Sequence, residues 1–376
     1  MARAPIASGS DLRAATVAIA DALLGAARVG RDSGLHWCYP DTGAGPTALG
    51  PHLFAGSSGI AVFFAALSKV DDTGRYREAG LRTIAALRAD LRAITADPAR
   101  ARRLEQPIGG LTGLGSLVYA LVRIGDLLGD DSLLDDAQRA ATLLTTDRLT
   151  ATEAHDVMTG SAGAVLALLA LAERRPEPVH GGERPMDLAL RCAERLAGSE
   201  GWTTAKGPAA AGFCHGRAGI RAALARLAER TGHGAPALLA AEMPHAEAWR
   251  HSWCKGAAGI ALGCLAMPGD RPIPAEALDL AAAPTLSGTD DLCCGNSGRI
   301  DVLVYAGIRL DRPDYLDRAA RLAAEMMRRA QAQGGYSFKS AAGGLDPRLF
   351  PGLAGIGYAL SRLQAAERVP CVTAME

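Results

Sequence analysis

Four residues that can bind a metal stand one or two positions before glycine turns. They are His215, Cys254 and the doublet Cys293-Cys294, and they lie roughly 40 to 80 residues apart. Thiolate and imidazole are the donors that zinc takes in tetrahedral sites, and a catalytic zinc keeps one position open. If the turns meet in space, this pattern predicts a zinc site.

The other cysteines have a simpler explanation. Cysteine is among the most buried residue types and fills small gaps in cores. Packing is the interpretation we adopt for Cys38, Cys192, Cys214, Cys264 and Cys371. Cys254, Cys293 and Cys294 differ from these because they share one place relative to a repeated turn.

That turn is a Gly-x-x-Gly tetrad followed by an apolar run, and it occurs seven times. Successive copies begin 39 to 57 residues apart. A glycine turn followed by residues that are apolar on most faces predicts the start of a buried helix. The copies begin at Gly56, Gly110, Gly160, Gly216, Gly256, Gly295 and Gly352.

Between the tetrads lie segments with a narrower apolar stripe. In the segment 75–94, Ile84, Leu87, Leu91 and Ile94 recur at helical spacing, which predicts a half-exposed outer helix. Each repeat is then one buried and one amphipathic helix. Buried helices need cover on all sides, so the pattern predicts an all-α, alpha/alpha toroid: a double ring of seven helical hairpins. All seven glycine turns would lie at one end.

When the seven copies are aligned on the first glycine of each tetrad, the two residues before that glycine are at equivalent positions. In the second copy, Ile108-Gly109 then align with the metal-binding residues of the other copies.

Composition excludes several functions. The chain of 376 residues carries 40 lysines and arginines against 40 aspartates and glutamates, so no net charge draws it to nucleic acid or to an anionic membrane. Hydrophobic residues make up 49% and aromatic residues 5%, as expected of a folded, helical protein with a core of small side chains. No signal peptide or membrane span is evident, which predicts a cytoplasmic protein with reduced thiols.

The turn sequences carry a resemblance to a known family. GFCHGRAGI, SWCKGAAGI, LCCGNSGRI and FPGLAGIGYAL resemble the lanthionine synthetase C-like cyclases, the LanC-like family. The resemblance covers the whole chain and implies one cyclase domain over residues 1–376, with no dehydratase domain. The CCG doublet and the ending VPCVTAME are most similar to the C-terminal cyclase domain of class II lanthipeptide synthetases, the LanM enzymes.

The resemblance implies an activity and partners. Family members form thioether rings by adding cysteine thiols to dehydroalanine or dehydrobutyrine in ribosomally made peptides. The substrate would be a dehydrated precursor peptide, supplied by a dehydratase domain or partner protein.

The resemblance also implies the metal ligands. They fall on Cys254 and on the doublet Cys293-Cys294, which is usually Cys-His in relatives. Three thiolates make a bound zinc more electron-rich than two thiolates and an imidazole, which predicts a more nucleophilic substrate thiolate and a less selective cyclase. Lys255 stands where relatives often have His or Tyr, and its role is left open.

Three further residues match the family's catalytic positions. His215 would be the general acid, Asp156 would orient it, and Arg250 would stabilise the enolate or shape the site. Without the family match, a helix cap explains Asp156 as well as a catalytic role does, and a surface cation explains Arg250 equally well.

Two other functions stay open from the sequence. A non-catalytic LanC-like module could hold zinc and a thiol such as glutathione. A zinc-dependent prenyltransferase-like enzyme is disfavoured, because no aspartate-rich diphosphate motif occurs beyond Asp290-Asp291. No nucleotide-binding motif for dehydration is found either.

Overall fold

The structure is a computed structural model of the chain. Its described residues are 6–40, 45, 47–179, 182–199, 201–232, 251–269, 272–339 and 345–376. Over these residues the chain forms sixteen helices and two short antiparallel hairpins. The hairpins pair β1 (Arg28–Val29) with β2 (Leu35–His36), and β3 (Thr203–Thr204) with β4 (Gly207–Pro208).

Seven helices form a closed inner ring. Each packs against the next in chain order, and the last packs against the first. Their apolar runs leave few polar residues to face water, so most of the residues in them are buried. They are α2 (Ser57–Leu67), α6 (Leu114–Leu128), α9 (Ser161–Arg174), α11 (Arg217–Thr231), α12 (Ala257–Leu265), α14 (Asn296–Arg309) and α16 (Leu353–Gln364). The prediction of an all-α, alpha/alpha toroid is confirmed.

An outer layer wraps this ring. Six described outer helices each pack mainly against one inner helix, and most of them bury one stripe and expose the other. They are α1 (Gly9–Ala26), α3 (Arg75–Thr83), α7 (Ser132–Ala141), α10 (Pro185–Ala197), α13 (Ala275–Ala281) and α15 (Pro313–Gln333). The remaining described helices are α4 (Ala85–Ala96), α5 (Pro98–Arg103) and α8 (Thr146–Ala151).

The predicted outer helix over 75–94 is interrupted. The backbone at Ile84 leaves the helical region, with φ −99° and ψ 4°, and separates α3 from α4. The apolar stripe is nevertheless buried as expected, since Ile84, Leu87 and Leu91 lie in the core.

The first and last helices pair with each other. α1 is the outer partner of α16, and Gln364 donates to the Thr16 hydroxyl at 3.2 Å. The last inner helix therefore takes its cover from the other end of the chain, and this contact joins the two ends of the described double ring.

The glycine turns form one rim of the ring. Six inner helices begin directly after the first glycine of their tetrad. The second glycine is required by space: a Cβ at Gly355 would overlap the carbonyl oxygen of Leu349, six residues earlier.

The second copy has a different register. α6 begins after Gly113, whose φ of 126° favours glycine, and not after Gly110. The residues equivalent to the metal-binding positions are therefore Leu111 and Thr112. The alignment that placed Ile108-Gly109 there was wrong.

Backbone hydrogen bonds join neighbouring turns around the rim. Five of these bonds join residues that lie two positions before the helix-opening glycines of different turns, with N to O distances of 2.9–3.3 Å. Donor first, the pairs are Phe54 with Leu111, Leu111 with Met158, Met158 with Cys214, Cys293 with Phe350, and Phe350 with Phe54. Because the backbone fixes this spacing, residues at equivalent places in adjacent turns are held close together.

The C-terminal segment 369–376 lies inside the ring. Residues 371–375 are almost fully buried. Four inner helices contribute contacts: Tyr119 of α6 donates to the Glu376 carbonyl at 2.8 Å, and Arg226 of α11 donates to the Ala374 carbonyl at 3.0 Å. Asp301 of α14 accepts from Thr373, and Tyr358 of α16 donates to the carbonyl of residue 370. The segment thus fills the centre of the toroid.

Within the described part of the chain, each helix is too short or too polar to cross a bilayer.

Candidate functional site

Two adjacent rim turns bring three cysteines together. Cys254 precedes α12, and Cys293 and Cys294 precede α14. The turn before α12 is anchored by Trp253, which is buried, stacks on Phe350 with ring centroids 4.8 Å apart and donates to the Thr373 carbonyl at 3.0 Å. The thiol positions are therefore set by core packing.

The three sulfurs fit one metal ion. Cys254 Sγ lies 3.3 Å from Cys294 Sγ, which lies 3.6 Å from Cys293 Sγ, and all three are within 4.8 Å of one another. A tetrahedral zinc with bonds of about 2.3 Å requires sulfurs about 3.8 Å apart. Cys254 is 8% exposed and the doublet is half-buried, so the donor set also has an open side. All three cysteines are free thiols.

The three thiols affect one another's ionisation. Hydrogen bonds with Cys254 and Cys293 hold the pKa of Cys294 far below its ordinary value, and Lys339 adds to this effect. The pKa of Cys293 is raised by its hydrogen bonds with Cys254 and Cys294 and by burial. The three thiols therefore ionise as one interacting group, in which Lys339 favours the thiolate form of Cys294.

Next to the cysteines lies a histidine held by a buried carboxylate. Asp156 Oδ2 lies 2.8 Å from His215 Nδ1, and Asp156 is 1% exposed. Its Oδ1 accepts from the Thr159 amide at 3.0 Å. Asp156 therefore acts both as a cap for its own turn and as the partner of His215. A carboxylate at Nδ1 favours the tautomer that leaves Nε2 for proton exchange.

Other residues singled out in the sequence are placed as follows. Arg250 lies outside the described residues. Cys214 is fully buried, and its carbonyl accepts from Met158, in keeping with the packing role. Lys255 is exposed on the rim, beside Cys254.

Two residues near the thiols were missed by sequence reasoning. Lys339, in the loop after α15, lies near enough to Cys294 to help lower the pKa of that thiol. Asp291 Oδ1 accepts from the Cys294 amide at 2.7 Å. Asp291 could have been found, because it precedes Gly295 by four residues, as Asp156 precedes Gly160. Lys339 has no such pattern.

Comparisons with known proteins bear on both fold and family. A family model described as lanthionine synthetase C-like protein matches residues 47–374. The structure of a nisin cyclase is similar at 15% identity and a TM-score of 0.58, over 86% of this chain and 91% of that one. A GH76 alpha-mannanase from Bacteroides thetaiotaomicron matches at 10% identity and a TM-score of 0.54, over 96% and 97%.

A comparison with curated proteins found no match. At these identities the two structural likenesses establish the fold, which enzymes of different chemistry share. The family rests on the match over residues 47–374.

Proposed function

The chain belongs to the lanthionine synthetase C-like family, and from that premise we propose that it is a zinc-dependent lanthipeptide cyclase. The reaction is the addition of a peptide cysteine to dehydroalanine or dehydrobutyrine, which gives lanthionine or methyllanthionine. The observation that carries the proposal is the juxtaposition of a three-thiol cluster with the Asp156–His215 pair on one rim.

The donor set suits zinc. Cys254, Cys293 and Cys294 would hold the ion, and soft thiolates favour zinc over the oxygen-preferring cations. Zinc bound there would supply a substrate thiolate at neutral pH by lowering the pKa of the cysteine that reaches its open position.

Side chains of the protein would carry out the proton transfer that follows the addition. When the thiolate adds to the β-carbon, a C–S bond forms and the electron pair of the C=C bond moves into an enolate. A proton must then reach the α-carbon. His215 Nε2 is the proton donor, Asp156 holds the imidazole in place through Nδ1, and the proton lost by the substrate thiol balances the reaction.

Arg250 completes the proposal as the stabiliser of the enolate. It precedes Cys254 by four residues, and its assignment rests on the family resemblance.

The substrate we propose is a dehydrated precursor peptide. Within the family, the CCG doublet favours a relationship to the cyclase domains of class II synthetases. Phosphorylation and elimination of Ser and Thr hydroxyls would then be the task of a dehydratase domain or partner protein, in the same cytoplasm.

The test uses a precursor peptide that has already been dehydrated. It is incubated with the zinc-loaded protein, treated with a thiol-alkylating reagent and analysed by mass spectrometry. Cyclisation keeps the peptide mass but removes alkylatable thiols, so we expect fewer adducts than with zinc-free protein. An undehydrated peptide with ATP and magnesium should keep its mass.

Full alkylation in the presence of zinc-loaded protein would contradict the cyclase proposal. Retention of labelled glutathione by that same protein would then favour the thiol-binding alternative.

A further inference from the structure

Two cysteines from different turns are close enough to react with each other. The sulfur of Cys254, in the turn before α12, lies 3.3 Å from the sulfur of Cys294, in the turn before α14. Both are free thiols. A disulfide bond is about 2.05 Å long, so its formation would bring the sulfurs closer by about 1.2 Å. A movement of this size is within the range of side-chain rotation.

The turns that carry these thiols are held by bonds that do not involve sulfur. The carbonyl of Cys254 accepts from the His215 amide at 3.2 Å, and its neighbour Trp253 is anchored in the core. The amide of Cys294 donates to Asp291 Oδ1 at 2.7 Å. The proximity of the two sulfurs is therefore set by the backbone of the folded chain.

The third thiol of the cluster, Cys293, is a poor disulfide partner for Cys294, although their sulfurs are 3.6 Å apart. The peptide bond between the two residues is trans. Cα atoms of adjacent residues are then about 3.8 Å apart, whereas ordinary disulfides join Cα atoms at least about 4.4 Å apart. Cys254 lies 40 residues from Cys294 and is free of this restriction.

The open side of the cluster admits a small oxidant. Cys294 is half-buried, and Cys254 is 8% exposed. A molecule of the size of hydrogen peroxide would reach Cys294 by the side from which a substrate thiol would approach. Cysteines that are accessible and stand beside a second thiol are the ones that oxidise reversibly.

We propose that Cys254 and Cys294 form an oxidation site, at which a peroxide converts two of the zinc ligands into a disulfide and thereby releases the metal. Cys294, the more exposed of the pair, attacks one oxygen of hydrogen peroxide. The O–O bond breaks, and a sulfenic acid and one water form. The Cys254 sulfur then attacks the Cys294 sulfur, the S–S bond forms and a second water leaves. Two electrons pass from sulfur to peroxide, and both thiol protons end in water.

The inference goes beyond the proposed function, and its metal-release step rests on the proposed zinc site. Once the disulfide has formed, Cys293 is the remaining thiol of the cluster, and one thiolate does not replace the three or four protein ligands that a zinc site requires. Bound zinc would in turn hold the sulfurs about 3.8 Å apart and occupy the electron pairs that attack the peroxide. Metal binding and oxidation therefore oppose each other, and a thiol reductant would restore the site.

The experiment treats the full chain, freed of zinc, with hydrogen peroxide, alkylates it and analyses the intact and digested protein by mass spectrometry. We expect the loss of two alkylatable thiols, a mass lower by two hydrogens before alkylation, and a crosslinked peptide that joins Cys254 to Cys294. Cys254→Ser and Cys294→Ser should each abolish this crosslink. Cys264→Ser, the matched control, removes a thiol of α12 outside the cluster and should keep it.

Zinc release is the second readout. With zinc-loaded protein, a chromophoric chelator should detect about one zinc for each disulfide formed. Thiols should disappear more slowly than in the zinc-free protein. Dithiothreitol followed by fresh zinc should restore both the free thiols and the bound metal.

A crosslink through Cys293, or oxidised thiols without any crosslink, would overturn the inference. Retention of zinc by fully crosslinked protein would also overturn it. Protein that forms the disulfide and releases zinc, but never cyclises a dehydrated peptide, would refute the proposed reaction and leave the oxidation site standing. A chain that cyclises the peptide while Cys254 and Cys294 stay unlinked under peroxide would refute the oxidation site alone.

Discussion

The backbone amide of His215 donates to the carbonyl oxygen of Cys254 at 3.2 Å. This bond joins the turn that carries the imidazole to the turn that carries the first thiol. Because Asp156 also holds the ring through Nδ1, the imidazole and the thiol cluster form one unit whose spacing depends on the backbone. Loss of the imidazole and loss of a thiol should nevertheless have separable effects.

The first prediction concerns metal content. Purified protein should contain about one zinc per chain, because three thiolates within bonding distance of one point form a strong soft-donor site. Cys254→Ala, Cys293→Ala and Cys294→Ala should each lose most of it. Metal analysis by mass spectrometry decides this, with Cys264→Ala as the matched control. If Cys264→Ala lost as much zinc as the three variants, the zinc loss would reflect damage to the fold and not the removal of a ligand.

The second prediction separates proton transfer from metal binding. His215→Ala should keep its zinc and slow cyclisation by roughly 10²- to 10⁴-fold, the usual contribution of a general acid. Asp156→Asn should act in the same direction, because it removes the negative charge at Nδ1. Single-turnover thiol loss, measured beside zinc content, tests both variants. Zinc loss in His215→Ala would identify the histidine as a ligand.

A third prediction tests the rim turns. Gly355→Ala should lower the free energy of unfolding by about 1–3 kcal/mol or more, because its Cβ would overlap the Leu349 carbonyl. Gly25→Ala, near the end of α1 with open space around it, should raise the free energy of unfolding by about 0.5–1 kcal/mol. Chemical denaturation of the two variants makes the comparison. Effects of the same sign would contradict the steric explanation of the second glycine.

The fourth prediction concerns a buried ion pair. Arg362 Nη1 lies 2.9 Å from Asp301 Oδ1, with side chains 3% and 0% exposed. Asp301→Ala would leave the guanidinium uncompensated, so it should cost about 3–5 kcal/mol of stability. Asp317→Ala breaks a surface pair whose carboxylate is 63% exposed, and should change stability by less than about 1 kcal/mol. Thermal unfolding of both variants provides the measurement, and comparable losses would refute the distinction.

The sequence predicted those parts of the fold that depend on residues close together in the chain. Seven glycine tetrads predicted seven buried helices, because the requirement for glycine and the apolar run lie within one short segment. The register of the second copy was missed, since the stretch from Gly109 to Gly115 offers several glycines. Which of them begins the helix is decided by hydrogen bonds from neighbouring turns, such as that from Phe54 to Leu111.

The same division applies to the site. The thiols could be grouped because they share a place in a repeat. Lys339 could not, because it lies in the loop after α15, 45 residues further along the chain than Cys294, and has no place in the repeat pattern. The burial of residues 371–375 was equally invisible, since the C-terminal segment has no helical period and its partners include Tyr119, Arg226 and Asp301, which lie on three helices far away in sequence.

The filled centre of the toroid determines how a peptide can meet the thiols. A chain cannot be threaded through a ring whose lumen holds residues 371–375, so a substrate must approach and leave on the rim side. Under the proposed function, each new thioether makes the peptide wider and less flexible. Because the peptide approaches and leaves an open rim, it passes through no channel that would limit the width of the product. Peptides with several rings could therefore return to the same cysteines for the next closure without ever being unthreaded.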